Sequence, residues 1–381
     1  MTLRVGISSA VLSNHDRAKY IDGIGVYTAT LIRHLKALQC DVVPVTYTPY
    51  SQKHRALNPV LANGCAFPYP EYIEVMGSFL SDHFNRRVEK QLSLYHSTDY
   101  ACPRFKNIPV VATLHDAILL KNIPRFENPK HTFNRYIMKK RAVHNASHYI
   151  AITHAMVPEL VNYWRVKPEQ IDVVPNGIDP WWWERVTVEE KHALRNQWKL
   201  DKPFILFVSS LRSRKNLLRL MMAYKALPLS LRNNVQLVVV GKNPGYAGTE
   251  AMQTVLTDLV AKGEAKWLQY VSQKDLRTLY QSASLFVFPS LAEGFGLPIV
   301  EAFASQLPVI TSNRSAMAEV AGDAAYLVDP EDTDELSHAM QLLLLDESLA
   351  NTYANKGAHR SYEYTAEKQA LRTFEVYKKI L

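Results

Sequence analysis

The sequence predicts an α/β protein of two Rossmann-like, doubly wound units that face each other across a cleft. Three observations carry this. Short apolar runs rich in Val, Ile and Phe recur at helix-sized intervals, and amphipathic stretches lie between them. The pattern breaks once, over "DPWWWERVTVEEKHALRNQWKLDKP" (179–203). Strands that alternate with helices form parallel sheets covered on both faces, and strands buried on both faces read as continuous apolar runs.

In the first half the expected strands are "LRVGISS" (3–9), "CDVVPVTY" (40–47), "LSLYHST" (92–98), "IPVVATLH" (108–115), "HYIAIT" (148–153) and "IDVVPNG" (171–177). In the second they are "PFILFVSS" (203–210), "VQLVVVG" (235–241), "KWLQYVS" (266–272), "LFVFPS" (285–290), "LPVITS" (307–312) and "AAYLVD" (324–329). "VYTATLIRHLKAL" (26–38) and "LLRLMMAYKAL" (217–227) read as helices between them. Six strands per half make one doubly wound unit each. The expected domains are 1–185, 186–362 and a terminal helix, 363–381, that returns to the first domain.

The bulk numbers agree with this size. A chain of 381 residues, 47% hydrophobic and 21% charged, has room for two ordinary globular domains. Its three cysteines, Cys40, Cys65 and Cys102, are scattered and without metal-ligand spacing, which fits a reducing, cytoplasmic compartment. No apolar run approaches the roughly 20 residues that span a bilayer. "MTLRVGISSAVLSN" reads as a first strand rather than a signal peptide. A net charge of +8 points to an anionic partner. The basic residues form no block interleaved with aromatics, so nucleic acid is not expected. The densest basic patch, "RYIMKKRAVHNA" (135–146), is either a solvated helix face or a contact for the anionic inner face of a membrane.

In open α/β sheets ligands bind beyond the C-terminal strand ends, and the suggestive residues follow strands. After the first strand, Gly23 and Gly25 in "YIDGIGVYT" open a helix, as a phosphate-friendly loop or as a simple tight turn. After "IPVVATL" come His115 and Asp116; the histidine either reaches a ligand or is structural, and Asp116 can orient it or bind a hydroxyl. "LRSRKN" places Arg212, Arg214 and Lys215 at one strand end, where a diphosphate would neutralise them. "SLAEGFGLPIVEAFASQ" reads as a Gly loop opening a helix with Pro298 at its first position. Such an N-terminus attracts phosphate. Glu293 and Glu301 flank it, either as acceptors for the hydroxyls of a nucleotide-sugar or as solvated residues. "DTD" (332–334) is a helix cap rather than a metal pair, and no metal or other cofactor is expected.

Together, "EGFGLPIVEAFA" (293–304), "RKN" (214–216), "TLHD" (113–116), "VVPNGID" (173–179), "EVAGDAAYLVDP" (319–330) and the terminal "YTAEKQALRTFEVYKKIL" resemble the retaining glycosyltransferases of family 4. The resemblance runs along nearly the whole chain and implies the GT-B fold. It implies that Glu293 contacts donor-sugar hydroxyls and Glu301 the ribose. Backbone amides of Gly296 and Leu297 would hold the diphosphate from that helix start, with Lys215 and Arg212 or Arg214 neutralising it, and Gly294 and Phe295 would also bind the donor. His115 would touch the transferred sugar, Val271 would border the base, Gly23 and Gly25 would lie near the diphosphate, and Asp116 on the acceptor side. Two departures stand out: Ser209-Ser210 replaces the family's Gly-Arg, and Thr153-His154 its Ser-Glu. The "RKN" form is similar to mannosyltransferases of bacterial surface polysaccharides, which implies GDP-mannose as donor and a glycan or lipid-linked acceptor. The competing readings are a UDP-sugar donor, a nucleotide-sugar epimerase and an inactive binding protein.

Overall fold

The computed structural model describes residues 3–13, 23–47, 64–67, 85–100, 102–117, 140–243, 245 and 248–381. The chain divides into two compact units: Met1–Asp179 with Thr365–Leu381, and Pro180–Tyr364. The boundaries fall at 179/180 and 364/365, against the expected 185/186 and 362/363.

Eleven of the twelve expected runs contain a strand, and the twelfth, 266–272, overlaps one that begins a residue earlier at Ala265. The first unit carries β1 (Arg4–Ser8), β2 (Asp41–Tyr47), β3 (Cys65–Phe67), β4 (Leu94–Ser97), β5 (Val110–Leu114), β6 (His148–Ala151) and β7 (Ile171–Val173). The second carries β8 (Phe204–Val208), β9 (Gln236–Val240), β10 (Ala265–Leu268), β11 (Leu285–Phe288), β12 (Val309–Ser312) and β13 (Tyr326–Val328). β3 corrects the expected six strands of the first half to seven. Three residues have too little length to show a pattern, and their pairing with β2 is what makes them a strand. All pairings are parallel, in the orders β3-β2-β1-β4-β5-β6-β7 and β10-β9-β8-β11-β12-β13. Strand order therefore reverses between β1 and β4, and again between β8 and β11. These reversals are where such sheets bind ligands.

Among the described residues, helices of seven or more residues are α1 (Gly23–Ala37), α2 (Val188–Trp198), α3 (Leu217–Ala226), α4 (Glu250–Ala261), α5 (Gln273–Ser282), α6 (Leu297–Ala304), α7 (Ser315–Ala321), α8 (Thr333–Leu345), α9 (Glu347–Ser361) and α10 (Ala366–Ile380). The stretch 179–203 is more ordered than its lost periodicity predicts. Pro180–Trp183 form a 3-10 turn, and α2 starts with a capping box between Thr187 and Glu190. Asp332 caps α8 by accepting from the backbone N–H groups of Asp334 and Glu335, both at 2.9 Å, so "DTD" is the cap the sequence reading expected.

Each unit has its own core. In the first, Val5, Ile7, Val111 and Ile150 of the sheet pack with Leu31 and Leu35 of α1 and Val376 and Tyr377 of α10. In the second, Phe207, Val239, Val287 and Ile310 pack with Leu220, Leu256 and Met340. Each such side chain, fully buried, is worth about 1.5–3 kcal/mol of transfer free energy. Of the basic patch 135–146, residues 135–139 lie outside the described residues. No helix among the described residues is long and apolar enough to cross a membrane.

Candidate functional site

The reversal point of the second sheet brings two cations and a carboxylate together. β8 ends at Val208, and the chain turns through Ser209–Arg212 into a 3-10 turn, Ser213–Lys215. Beside it, β11 runs into Pro289–Ala292 and then Glu293. The two loops are tied by backbone: Leu291 N–H donates to the Arg214 carbonyl at 2.8 Å. Asn216, buried and in the left-handed region at φ 62°, donates its side-chain amide to the carbonyls of Pro289 (3.0 Å) and Pro330 (2.6 Å). That anchor fixes where Arg214 and Lys215 emerge.

Glu293 is thereby paired twice. Arg214 meets Oε2 at 2.9 Å, and Lys215 Nζ donates to Oε1. Ser290 Oγ donates to the same Oε1 at 2.7 Å, and Arg214 also donates to the Ala292 carbonyl at 2.9 Å. The Lys215 ammonium lies 5.3 Å from the centre of the Phe288 ring. Burial pushes the Lys215 ammonium down to about 8; Glu293 opposes this, while Arg214 and Arg212 add to it. Burial would raise the Glu293 carboxyl, but Arg214, Lys215 and the Ser290 hydroxyl outweigh it and hold the group at about 2. One carboxylate thus serves two cations, with Arg212 close enough to be felt. In the sequence the cations and Glu293 stand as separate elements, the former suited to phosphate and the latter to sugar hydroxyls. The structure joins them in one cluster.

Next along the chain, Gly294, Phe295 and Gly296 are buried, and Gly296 caps α6 at φ +99°. A Cβ on Gly296 would sit 3.1 Å from Ile299 Cδ1. Pro298 is the second helical residue, not the first, because Leu297 begins α6. Either position in the first turn spares the helix a lost hydrogen bond. Glu301, one turn in, is half-buried and accepts from Tyr280 Oη at 3.0 Å. Burial raises its carboxyl to about 7, against the lowering effect of the Tyr280 hydrogen bond. Val271 is buried between β10 and α5.

In the first unit, His115 and Asp116 follow β5 and share one partner, the Tyr100 hydroxyl, 3.2 Å from each backbone N–H. His115 is buried; its Nε2 lies 2.9 Å from the Thr98 carbonyl, and its ring meets Tyr27 edge-on at 4.8 Å. A carbonyl only accepts, so the Nε2 atom of His115 carries a proton. Gly23 is the exposed first residue of α1 and Gly25 is buried in its first turn.

Ser290, Asn216 and Tyr280 belong to these arrangements and were not read from the sequence as site residues. Asn216 stood inside the quoted "RKN". Ser290 closes the "LFVFPS" run, and Tyr280 sits in the last turn of α5 with no local mark.

A doubly wound pair of sheets with a cation-rich reversal point defines a class, and comparison identifies it. Residues 188–360 match the model for glycosyl transferases group 1, and residues 21–182 match that for glycosyltransferase family 4. Between them these cover well over half of the chain, which belongs to this glycosyltransferase family and has the GT-B fold. Among its relatives, the O-antigen chain mannosyltransferase B of Escherichia coli is 28% identical over 75% of this chain and 74% of its own. The serotype-specific mannosyltransferase WbdA of the same organism is 24% identical over 72% of this chain, a match spanning 34% of that longer protein. A solved sucrose-phosphate synthase from Thermosynechococcus elongatus superposes with a TM-score of 0.76 at 20% identity, covering 99% of this chain and 98% of that one. Anabaena HepE in complex with UDP-glucose gives 0.73 at 17%, covering 99% and 100%.

Proposed function

We propose that the chain transfers mannose from GDP-mannose to a hydroxyl of a glycan or lipid-linked acceptor in bacterial surface polysaccharide synthesis, with retention of anomeric configuration. The observation that carries this reading is the Arg214–Lys215–Glu293 cluster beside the start of α6, at the reversal point of the second sheet. The mannosyltransferase relatives favour the sugar.

In this reading the diphosphate sits on the N–H groups at the start of α6, where the helix dipole also attracts it. The bond between the anomeric carbon and the diphosphate oxygen breaks, and the acceptor oxygen bonds to the same face of that carbon. The acceptor's proton passes to the departing diphosphate. Negative charge grows on that leaving group as its bond breaks, so the cations Lys215 and Arg214, with Arg212, stabilise the transition state more than the ground state. Glu293 holds the two cations in place and presents carboxylate to the sugar's hydroxyls. Glu301 receives the ribose, Val271 borders the base, and His115 stands against the transferred sugar with Asp116 on the acceptor side. Gly23 and Gly25 approach the diphosphate. No side chain serves as nucleophile, and no metal or other cofactor takes part. The protein works in the cytoplasm, with peripheral contact to an anionic membrane where its acceptor is lipid-linked.

The test is thermal stabilisation by nucleotides followed by transfer. A ligand at 100 times its Kd adds about 2.7 kcal/mol, a readable shift. GDP and GDP-mannose are expected to stand out, with GDP released from GDP-mannose only when acceptor is present. The HepE complex with UDP-glucose favours a second reading, a UDP-sugar donor, which a larger shift with UDP would select. Release of nucleotide without acceptor, or no binding at all, would overturn the transferase reading.

A further inference from the structure

The run "WWW" at 181–183 has no part in the reaction described above, yet it is wired to Glu301. Trp181 and Trp182 stack at 4.5 Å between ring centres. Arg277 of α5 lies over Trp181, donates to its carbonyl at 2.7 Å and pairs with Glu184 at 2.7 Å. Gln281, one turn on, donates to the Glu184 carbonyl at 2.8 Å and accepts from the Val186 N–H at 2.9 Å. The turn and α5 are therefore stitched side by side. The result is a wall, because Trp182 meets the Tyr280 ring edge-on at 5.5 Å while Phe286 of β11 meets it at 5.2 Å. Tyr280 and Phe286 are fully buried and Trp182 nearly so. With its ring held between these two, the phenol donates to Glu301 Oε2 at 3.0 Å. Glu301 Oε1 takes no hydrogen bond from a described residue.

We infer that Tyr280 is a positioning residue for ligand recognition, holding Oε2 of Glu301 so that the carboxylate presents Oε1 and its remaining lone pairs to a vicinal diol, with Trp182 as the wall that aims the phenol. The inference rests on the proposed placement of a nucleotide ribose at Glu301. A carboxylate free to rotate about its side-chain torsions loses entropy when it grips two hydroxyls at once; one clamped at one oxygen has lost it in advance. The phenol stays protonated, since burial and then the neighbouring Glu301 carboxylate raise it well above its ordinary range. It therefore donates at every pH of interest.

The experiment is calorimetric binding of GDP and of 2′,3′-dideoxy-GDP to the full chain, as wild type, Tyr280→Phe and Trp182→Leu, repeated with the UDP pair so that the base does not enter. Tyr280→Phe keeps the ring in its slot, and an unchanged unfolding midpoint checks that it does. It is expected to weaken the ribonucleotide about 10-fold, the size of one hydrogen bond to a charged group, and the dideoxy form less than twofold. Trp182→Leu is expected to lower the same ratio. Equal weakening of both nucleotides by Tyr280→Phe, or of neither, overturns the inference. If wild type itself binds the two nucleotides equally well, the ribose placement at Glu301 has failed instead.

Discussion

Glu293 carries two cations at once, which makes its substitution a test of both fold and chemistry. Glu293→Gln strands Lys215 in a buried place without a counter-charge, and breaking such a pair costs about 3–5 kcal/mol. Denaturant unfolding is expected to show that loss, and transfer is expected to fall at least about 100-fold. The double variant Lys215→Met, Glu293→Gln removes the more deeply buried of the two stranded cations, leaves Arg214 its hydrogen bond to the Ala292 carbonyl, and is expected to regain part of the stability but none of the transfer. A double variant that transfers would remove the cluster from the mechanism. Glu301 gives a pH signature. Its folded-state value, about 7, lies above the ordinary 4.5, so between these the folded chain binds more protons than the unfolded one. Its contribution is then fully present below about 4.5 and lost as pH rises through about 7, up to roughly 3 kcal/mol. His96 acts in the opposite sense. Burial, then His115, lowers it from 6.5 to about 3, so it favours the folded state as pH rises across that window. The comparison that isolates Glu301 is unfolding of wild type against Glu301→Gln from pH 5 to 8. The difference should shrink or reverse as pH rises. A constant difference would mean that the carboxyl is not raised.

At the scale of elements, the glycine loop before α6 depends on one backbone torsion. Gly296 at φ +99° is disfavoured for any other residue, and its Cβ would press on Ile299. Gly296→Ala is expected to cost about 1–2 kcal/mol and to weaken nucleotide binding, since the N–H groups of the first turn shift with it. A variant with wild-type affinity for GDP and UDP would separate the loop from phosphate. The strands were the most legible elements, because both-face burial writes an unbroken apolar run into each. β3 was not legible, since three residues carry no period. The start of α6 was legible to within one residue, as Gly and Pro both mark it. The Tyr280–Glu301 pair was not: 21 residues and a strand separate its members, so nothing local joins them.

For the whole molecule, the last helix belongs to the first unit although 185 residues of the second intervene. Ile178 pairs with Thr365, and Ala366 N–H donates to the Ile178 carbonyl at 3.0 Å. Gly177 permits this, because a Cβ there would lie 2.2 Å from the Thr365 carbonyl oxygen. Tyr377 then enters the core and its hydroxyl meets His96 Nδ1 at 2.6 Å, while His96 Nε2 reaches Thr113 at 2.7 Å and Thr113 reaches Tyr27 at 2.9 Å. Truncation after Tyr364 strips that network and the apolar side chains of α10 together, several buried residues at about 1.5–3 kcal/mol each against a typical total of 5–15. The truncated chain is expected to lose the folded first unit, read as protease sensitivity confined to residues before 180. Resistance there would show that the helix is dispensable.

The sequence by itself determined the class of fold, the alternation of strand and helix, the second unit's glycine loop and the family. Each is written in local periodicity or in motifs a few residues long, where neighbours in the chain are neighbours in space. Only the tertiary structure decided that β8 lies beside β11, that Glu293 is shared by Lys215 and Arg214, and that Tyr280 answers Glu301. Those contacts join residues 21 to 80 positions apart. They exist because sheet order reverses at the point where these strands end, which no run of adjacent residues encodes.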